Sequence, residues 1–379
     1  MGSIKTVALE LQPCCGKRSG VGVNTYELAK RLEDDESLHF CGNLFNFCGR
    51  NDNSEALRGI RMPIHESRLF PYGVYRRIWR LLPLYYESFF PTKADLSIFF
   101  NYVVPPRIAG KVMTFIYDMT FLRFPETMDA RNRRRLDEGL RRSIARSDRL
   151  LTISEFSRDE IHTLLGIPEE KIAVIPCAPG YTDEEEALDV LREKYRINGP
   201  YILYVGTIEP RKNLARLLSA FEILKEKERL PHKLVLAGGK GWSNGDFNQA
   251  LAACRYRDDI IMTGYVTNAE KNGLYRNADV FVFPSLYEGF GIPPLEAMHC
   301  GCPVVCADAA ALPEVVGNAA ELVDPWDVNT IVSGVFRVIT DKARRDELIG
   351  LGHYQENKYT WEASADRLRA VCREVLEEK

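Results

Sequence analysis

The sequence has few of the residues with which proteins hold a metal ion, and it lacks their usual spacings. Cysteine occurs 10 times, but never as Cys-x-x-Cys, so a structural zinc site is not expected. No Asp-x-Asp pair occurs either, which argues against a divalent cation held between neighbouring carboxylates. The 6 histidines do not cluster along the chain. We therefore predict no metal ion and no bound cofactor.

Long apolar runs and a strong net charge are also missing. No stretch is apolar for long enough to cross a bilayer, and the segment that begins at Ile4 resembles a strand rather than the apolar core of a signal peptide. The formal net charge is only −3, which gives no reason to expect a nucleic-acid partner. Cysteines such as Cys41 and Cys306 lie in apolar runs, as core residues do. We expect a cytoplasmic protein with reduced thiols.

What is present is the pattern of a large α/β protein. A chain of 379 residues exceeds the usual size of a single core, so two domains are expected. Short, continuous apolar runs alternate with helical patterns, which is typical of parallel sheets covered by helices on both faces. Strands are predicted at residues 5–11, 38–47, 95–100, 111–117, 149–153 and 172–176, and then at 201–206, 233–237, 260–262, 280–283 and 303–306.

The alternation restarts after an acidic, turn-rich passage at residues 177–198, where we place a linker. Residues 1–180 then form a first Rossmann-like domain and residues 199–355 a second one. Both read as doubly wound sheets, and such sheets bind ligands at the carboxyl ends of their strands.

Two adjacent cations, Arg211 and Lys212, follow a strand that ends at Gly206 and precede a helix. This position puts them at the carboxyl edge of the second sheet, where they can grip a diphosphate. Arginine offers a planar fork and lysine a point charge. A solvated pair without a ligand is the alternative reading.

Two glutamates, Glu288 and Glu296, flank a glycine-rich turn, Gly289-Phe290-Gly291, between a strand and a helix. Backbone N–H groups at a helix start favour an anion, and a carboxylate there can accept hydrogen bonds from sugar hydroxyls. The pattern predicts a site for a phosphorylated, hydroxyl-rich ligand. From the spacing alone, an ordinary strand–turn–helix unit with solvated glutamates is equally compatible.

Three further strand ends carry candidate residues. Gly20 and Gly22 follow the first strand, where glycine lets the backbone approach a ligand; the remainder of a dinucleotide-binding motif is missing, so a tight turn is the alternative. Tyr117 and Asp118 end another strand, where Asp118 can bind a hydroxyl or help an acceptor lose a proton, although capping the next turn is the commoner use. Gly239 follows residues 233–237 and leaves room for a ligand or forms a flexible loop.

Basic residues outnumber acidic ones between residues 58 and 149. Cations and aromatic residues mix at residues 75–86, and a second basic run lies at residues 131–146. Such a surface can contact anionic lipid headgroups or a lipid diphosphate at the inner membrane surface. Solvated helix faces explain it equally well.

Taken in order along the chain, these motifs resemble family 4 glycosyltransferases of GT-B fold. The resemblance runs over nearly the whole chain. It rests on residues 19–22, 117–118, 121–126, 152–157, 204–213, 288–296, 301–305 and 312–317.

The resemblance implies two Rossmann-like domains that face each other across a cleft, with a C-terminal helix at residues 356–379 that crosses back to the first. It implies that Glu296 holds the nucleotide ribose and that Arg211 and Lys212 hold the diphosphate. Donor-sugar contacts would come from Glu288 with the turn that follows it, and Gly20 and Gly22 would approach the phosphates from the first domain. One departure is Tyr117, because many relatives have histidine there, and tyrosine is a poor base at neutral pH.

Residues 121–126 and the overall pattern resemble most closely the mannosyltransferases of surface polysaccharide synthesis. The resemblance thus implies a retaining, metal-independent glycosyltransferase. It would move a hexose from a nucleotide sugar to a hydroxyl of a glycan or lipid-linked acceptor. The expected hexose is mannose, and the expected donor is GDP-mannose. The alternatives are a UDP- or dTDP-sugar donor, a sugar-nucleotide epimerase of the same fold, and a non-catalytic sugar-binding scaffold.

Overall fold

The computed structural model describes residues 4–378 except 17–18, 80, 82–83, 129, 181, 183 and 242–244. The chain divides into two compact units. The first comprises Met1–Phe121, Ala130–Cys177 and Thr360–Lys379, and the second comprises Leu122–Asp129 and Ala178–Tyr359. Each unit is built on one parallel sheet.

The first unit contains a 7-stranded sheet in the order β3-β2-β1-β4-β5-β6-β7. Every neighbouring pair is parallel. The direction of winding reverses between β1 and β4, as in doubly wound sheets. The strands are β1 (Lys5–Glu10), β2 (Leu38–Phe45), β3 (Ile64–Ser67), β4 (Leu96–Phe99), β5 (Lys111–Phe115), β6 (Arg149–Thr152) and β7 (Ile172–Val174).

The second unit contains a 6-stranded parallel sheet in the order β10-β9-β8-β11-β12-β13. Its winding reverses between β8 and β11, which are neighbours in the sheet. Gly206 follows the carboxyl end of β8, and the loop that contains Glu288 follows β11. The strands are β8 (Tyr201–Val205), β9 (Lys233–Ala237), β10 (Ile260–Gly264), β11 (Val280–Phe283), β12 (Val304–Ala307) and β13 (Ala320–Val323).

Helices connect these strands, and many have identifiable start and stop signals. Ser154 caps one of them by accepting a hydrogen bond from the Ser157 amide at 3.0 Å, and Gly166 ends the same helix in the left-handed conformation. The helices are α1 (Gly20–Arg31), α2 (Tyr72–Ile78), α3 (Thr120–Arg123), α4 (Ala130–Arg146), α5 (Glu155–Leu165), α6 (Leu188–Tyr195), α7 (Leu214–Glu226), α8 (Gly245–Ala253), α9 (Asn268–Arg276), α10 (Ile292–His299), α11 (Leu312–Val316), α12 (Val328–Thr340), α13 (Lys342–Glu356) and α14 (Trp361–Glu377).

The predicted fold class, α/β with two doubly wound parallel sheets, is confirmed. Two strands were not predicted, the edge strands β3 and β13. The helix α6 lies inside the passage that was assigned to a turn-rich linker. Both edge strands are partly exposed and mix polar with apolar residues, so they lack the continuous apolar run of a central parallel strand.

The last helix, α14, packs on α1 within the first unit. The Arg31 side chain donates to the Glu362 carboxylate at 2.6 Å, and the Ser364 hydroxyl donates to the Pro176 carbonyl at 2.7 Å. The buried side chains of α14 include Trp361, Leu368 and Val375. The first unit is therefore assembled from two distant parts of the chain.

Aromatic side chains form a separate cluster in the first unit. The ring of Phe45, at the end of β2, stacks on Tyr75 of α2 with centroids 4.4 Å apart, and Tyr86 packs edge-on against Phe99 at 5.2 Å. Phe89 and Phe90 complete this part of the core. The cluster joins the carboxyl ends of β2 and β4 to two short helical segments, Tyr72–Ile78 and Tyr86–Phe89.

Candidate active site

The charged site of the second unit is built on a short turn between β8 and α7. Pro210–Lys212 forms a 3₁₀ turn, and Asn213 ends it in the left-handed conformation with φ 62°. The Asn213 amide donates to the carbonyls of Pro284, at 3.1 Å, and Pro325, at 2.7 Å. Asparagine therefore fixes the turn against the loop that follows β11, and this loop carries Glu288.

Glu288 joins the two cations that the sequence singled out. Its carboxylate accepts from the Arg211 guanidinium at 2.7 Å and from the Lys212 ammonium at 2.6 Å. Arg211 also donates to the Tyr287 carbonyl, and the Lys212 ammonium lies 5.2 Å from the centroid of the Phe283 ring. The structure thus brings three predicted site residues together.

A fourth member, Glu209, was not predicted. Its carboxylate accepts from the second nitrogen of the Arg211 fork at 2.7 Å, and its side chain is buried. The guanidinium therefore lies between two carboxylates. We call Glu209, Arg211, Lys212 and Glu288 the charged network.

Burial and charge act in opposite directions on this network. Burial by itself raises the pKa of Glu288, but the neighbouring charges of Arg211 and Lys212 and their hydrogen bonds lower it to about 2. Burial lowers the pKa of Lys212, and the charge of Arg211 adds to that effect while Glu288 opposes it. Glu288 is consequently held as a carboxylate at every physiological pH and cannot act as a general acid.

Glu296, the predicted ribose ligand, lies on α10 and is mostly buried. It accepts from the Lys271 ammonium at 2.5 Å and from the Tyr275 hydroxyl at 3.3 Å, both on α9. Neither partner was predicted from the sequence. The hydrogen-bond partners of Glu296 are therefore not members of the charged network.

The glycines predicted to bind the donor occupy their positions for different structural reasons. Gly206 ends β8 with φ +154°, and a Cβ atom there would lie 2.6 Å from the Tyr204 hydroxyl oxygen. Gly291 precedes α10 with φ +119°, and a Cβ atom there would lie 2.6 Å from Leu312. Around Gly239, by contrast, a Cβ atom would meet nothing within 4 Å in the described part of the chain. The first two glycines are required by the backbone, whereas the third leaves open space.

The turn before α10 is buried and apolar on one side. Gly289 is buried, and the Phe290 ring packs edge-on against Tyr359 with centroids 5.2 Å apart. The first helical residues are Ile292, Pro293 and Pro294. Because proline has no backbone N–H, the start of α10 offers fewer free amides than a typical helix start, and an anion there depends more on side-chain cations.

Tyr117 and Asp118 follow β5 in the first unit. Tyr117 is buried, and its hydroxyl accepts from the Asn24 amide at 3.1 Å. Burial raises the pKa of this hydroxyl well above its ordinary value, which excludes it as a base at neutral pH. Asp118 is half-buried and accepts from the Thr120 amide at 3.0 Å, which is the turn-capping role weighed from the sequence.

Gly20 and Gly22 open α1 rather than a separate loop. A Cβ atom at Gly20 would meet nothing within 4 Å in the described part of the chain, and Gly22 is buried on the helix. The preceding cations of the same motif, Lys17 and Arg18, lie outside the described residues, as does Trp242 beyond Gly239.

The sequence analysis identified several charged residues of the site but not the side chains that pair with them. Glu209 and Lys271 acquire their roles through contacts with Arg211 and Glu296, and no local motif marks such contacts. Glu209 stands beside the predicted cations and could have been considered for that reason. His299, at the end of α10, pairs with Glu356 of α13 at 3.4 Å.

Within the part of the chain that the structure describes, no three His, Cys, Asp or Glu side chains are grouped so that they could hold a metal ion. Metal-independent chemistry stays a prediction, because a metal held jointly with a substrate would not require such a group. Among the described helices, none is both long and apolar enough to span a membrane.

Comparison with known proteins matches two parts of the chain to models of glycosyltransferases. Residues 18–178 match the model of glycosyltransferase family 4, and residues 189–352 match the model of group 1 glycosyl transferases. The O-antigen chain mannosyltransferase B of Escherichia coli is 36% identical over 69% of this chain and 70% of its own length. The serotype-specific mannosyltransferase WbdA of Escherichia coli is 33% identical over 58% of this chain, but over only 28% of its own length.

A solved structure shares the fold at low identity. Alr3699/HepE of Anabaena, in complex with UDP and glucose, superposes with a TM-score of 0.71 at 15% identity and covers 98% of this chain and 100% of that one. This likeness supports the GT-B fold and nothing finer. From the two family models, the 36% identical relative and the two doubly wound sheets, we conclude that the chain belongs to the family 4 glycosyltransferases and is a glycosyltransferase of GT-B fold.

Proposed function

We propose that this glycosyltransferase transfers a mannosyl residue from GDP-mannose to a hydroxyl of a glycan or lipid-linked saccharide, with retention and without a metal ion. The observation that carries the proposal is the charged network, in which Arg211 and Lys212 meet Glu288 at the carboxyl edge of the second sheet. Two cations at one sheet edge suit a diphosphate. The choice of mannose is supported by relatives that are themselves named mannosyltransferases.

The chemistry asks little of the protein beyond charge and position. The bond between the anomeric carbon and the diphosphate oxygen breaks, and its electron pair stays on the leaving diphosphate. The acceptor oxygen forms the new bond on the same face of the sugar, and its proton passes to the released phosphate. Arg211 and Lys212 would stabilise the charge that develops on the diphosphate, which is commonly a large contribution to catalysis.

The charged network implies an exchange of partners on binding. The carboxylates of Glu209 and Glu288 form ion pairs with Arg211 and Lys212. A diphosphate must take over part of those hydrogen bonds. Glu288 would then accept hydrogen bonds from the sugar hydroxyls, as a carboxylate can.

Glu296 and Lys271 supply a second set of polar groups on the same unit. A carboxylate accepts hydrogen bonds from two adjacent ribose hydroxyls, and an ammonium beside it can contact a ribose oxygen or a phosphate. We therefore assign the ribose to Glu296, as the sequence predicted, and add Lys271 as its neighbour.

The donor is tested by thermal unfolding with GDP, UDP and dTDP, each with and without EDTA. A nucleotide that binds only the folded protein raises the unfolding free energy by about 2.7 kcal/mol at a hundredfold excess over its dissociation constant. We expect GDP to stabilise most, and EDTA to have no effect on binding or on transfer from GDP-mannose. A larger shift with UDP or dTDP, or strict dependence on manganese, would refute the corresponding part of the proposal.

The same preparations separate the two remaining alternatives. An epimerase converts the nucleotide sugar without an acceptor, whereas a transferase leaves it intact apart from slow hydrolysis. A scaffold binds sugar but turns nothing over. Mass spectrometry of the donor, incubated with and without a mannose-containing acceptor, distinguishes all three.

We also propose peripheral contact with an anionic membrane through the first unit. Exposed apolar residues Leu81, Leu84 and Tyr85 lie beside Arg76 and Arg77, a combination that suits a lipid surface. Residues 80 and 82–83 of this stretch lie outside the described residues. Sedimentation with vesicles of phosphatidylglycerol, against vesicles of phosphatidylcholine alone, tests it: equal and low binding to both would contradict the proposal.

A further inference from the structure

The turn Pro210–Lys212, which we call the cation turn, is tied to two other loops by the residue that follows it. Asn213 is only 4% exposed and adopts the left-handed conformation with φ 62°. Its amide nitrogen donates to the carbonyl of Pro284, in the loop after β11, and to that of Pro325, in the loop after β13. Asn213 therefore connects the end of the cation turn to the carboxyl ends of two further strands of the same sheet.

Arg216, on α7, determines which way the Asn213 amide faces. The Nη1 atom of Arg216 donates to the side-chain oxygen of Asn213 at 3.0 Å. An amide nitrogen has two hydrogens, and here each has a carbonyl to receive it. Turning the amide over would place its oxygen against those carbonyls and its nitrogen against a guanidinium, which can only donate. Arg216 thus favours the one orientation that ties the loops together.

Trp326, which follows Pro325 in the loop after β13, holds Arg216 from another side. The central carbon of the Arg216 guanidinium lies 4.8 Å from the centroid of the Trp326 ring, which is within the range of a cation–π contact. A long side chain loses conformational entropy when it is fixed in one geometry, and contacts at two places offset that loss. We call Asn213, Arg216 and Trp326 the supporting residues.

The geometry of the charged network depends on the spacing of these loops. Arg211 and Lys212 come from the cation turn, whereas their shared partner Glu288 comes from the loop after β11. The Leu286 amide adds a backbone bond between the two, because it donates to the Arg211 carbonyl at 2.9 Å. A misplacement of about 1 Å in a catalytic group can cost about a hundredfold in rate. A side chain that fixes the loops can therefore matter as much as one that touches the ligand.

We propose that Arg216 is a positioning residue for the diphosphate of the donor. Held by Trp326, it orients the amide of Asn213. That amide sets the cation turn in the place from which Arg211 and Lys212 reach the diphosphate. This rests on the proposed function only in that these two cations hold the diphosphate, and it uses neither the base nor the sugar of the donor.

The test separates the diphosphate from the rest of the nucleotide. GDP, UDP and dTDP and their monophosphates are titrated calorimetrically against the full chain. For the base that binds best, the ratio of the monophosphate dissociation constant to the diphosphate dissociation constant measures what the second phosphate contributes. A general loss of structure weakens both ligands alike and leaves this ratio unchanged. A displaced cation turn lowers it.

We expect Arg216→Ala to lower the ratio by about three- to tenfold, less than the loss of a whole charge-assisted hydrogen bond, because the cations are displaced rather than removed. Trp326→Ala should lower it by about two- to fivefold. Trp326→Phe keeps a ring beside the guanidinium and should recover most of that loss. The Trp326 side chain is exposed, so its variants should fold normally.

Tyr354→Ala is the matched control, because it removes another exposed ring of the same unit that lies beside a cation. The ammonium of Lys358 is 5.0 Å from the centroid of the Tyr354 ring. This variant should keep the ratio of the wild type. An equal fall in Tyr354→Ala and Trp326→Ala would overturn the proposal, since the effect would not depend on Arg216.

A double variant tests whether Arg216 acts through Asn213. Asn213→Gly removes the amide but keeps a residue that tolerates positive φ, so the backbone of the turn need not change. Residues that act along one series of contacts are not additive. Adding Arg216→Ala to Asn213→Gly should therefore lower the ratio no further than Asn213→Gly alone. Additive effects would overturn the proposal, because Arg216 would then act on the diphosphate directly.

Arg211→Ala distinguishes a failure of this inference from a failure of the proposed function. A lower ratio in Arg211→Ala, with unchanged ratios in Arg216→Ala and Trp326→Ala, would overturn the inference and leave the diphosphate with the charged network. An unchanged ratio in Arg211→Ala would refute the assignment of the diphosphate, and the role of Arg216 with it. Both would also be refuted if the wild type bound none of the six nucleotides.

Discussion

The two units each bury a carboxylate near the carboxyl end of a sheet, and the two carboxylates differ in almost every respect. Glu288 is paired with Arg211 and Lys212, and its pKa is lowered to about 2. One oxygen of Glu10 has no hydrogen-bond partner in the described part of the chain, and burial raises the pKa of this carboxyl to about 7. The first arrangement is complete without a ligand and must exchange partners to bind one. The second leaves a buried carboxyl without a full set of partners among the described residues.

This difference decides what kind of ligand could compete for each carboxylate. A diphosphate carries its own charge and can displace a carboxylate from a cation. A neutral sugar cannot compete with an ion pair, so it needs groups that are not already satisfied. We therefore expect mutations to act differently in the two units.

The largest effect should follow Arg211→Ala, which removes the centre of the charged network. Turnover should fall by about 10² to 10³, the usual cost of a lost transition-state contact. Stability should fall by about 3–5 kcal/mol, because Glu209 is left without its cation. Initial rates per folded molecule, with stability from denaturant unfolding, measure both.

Lys227→Ala, at an exposed position of the same unit, is the control and should change neither quantity. Near-normal turnover of folded Arg211→Ala would contradict the role given to this residue.

The pH dependence of stability should separate the two carboxylates by sign. The pKa of Glu288 is lowered in the folded state, so its stabilisation is present above pH 4.5 and is lost as the pH falls toward 2. The pKa of Glu10 is raised, so its contribution is full below pH 4.5 and is lost as the pH rises toward 7. Each span corresponds to about 3 kcal/mol at most.

Denaturant unfolding of Glu288→Gln and Glu10→Gln between pH 3 and pH 8 tests this contrast. Relative to the wild type, Glu10→Gln should become more stable as the pH rises from 4.5 to 7. The deficit of Glu288→Gln should shrink as the pH falls below 4.5. Parallel curves for the two variants would show that the carboxylates do not differ as described.

A smaller effect is expected from alanine at the two donor-side glycines. Gly206→Ala places a Cβ atom 2.6 Å from the Tyr204 hydroxyl oxygen at φ +154°, and should destabilise the chain by about 1–3 kcal/mol. Gly239→Ala meets nothing within 4 Å in the described chain and should leave the melting temperature unchanged. If Gly239 faces the donor, its variant should still bind GDP more weakly. Equal melting temperatures for both variants would contradict the backbone argument.

The smallest effect should come from Glu209→Gln. Glu209 competes with the diphosphate for Arg211, so neutralising it should strengthen GDP binding by about three- to fivefold, or roughly 1 kcal/mol. Calorimetric titration with GDP measures the change. Weaker binding would mean that Glu209 mainly holds Arg211 in position rather than competing with its ligand.

The central strands of both sheets could be predicted from the sequence because each is a continuous apolar run. β9, for example, was predicted with its observed bounds, Lys233–Ala237. The strand β3 reads Ile-His-Glu-Ser and lies at an edge, so it has no such run. Position at an edge is not the whole reason, because the edge strands β7 and β10 were predicted from their apolar residues. A strand with a mixed sequence is defined by its neighbours, which the sequence does not display.

The same distinction between local and distant information applies to the residues of the candidate site. Arg211, Lys212 and Glu288 were predicted from motifs at strand ends, and they meet within hydrogen-bond distance. Glu209 and Lys271 were not, because their importance comes from partners elsewhere in the fold. The burial of Glu10 was not predicted, because its neighbours, among them Tyr72 and Arg135, are distant from it in the sequence.

The packing of α14 on α1 has a consequence for how the protein is made. Residues of α14, such as Glu362, complete the first unit, although they are translated after the whole of the second. The second unit can therefore finish folding while the nascent first unit still waits for its last helix. During synthesis the usual order of completion is reversed, and a ribosome that stops early would release an unfinished amino-terminal half.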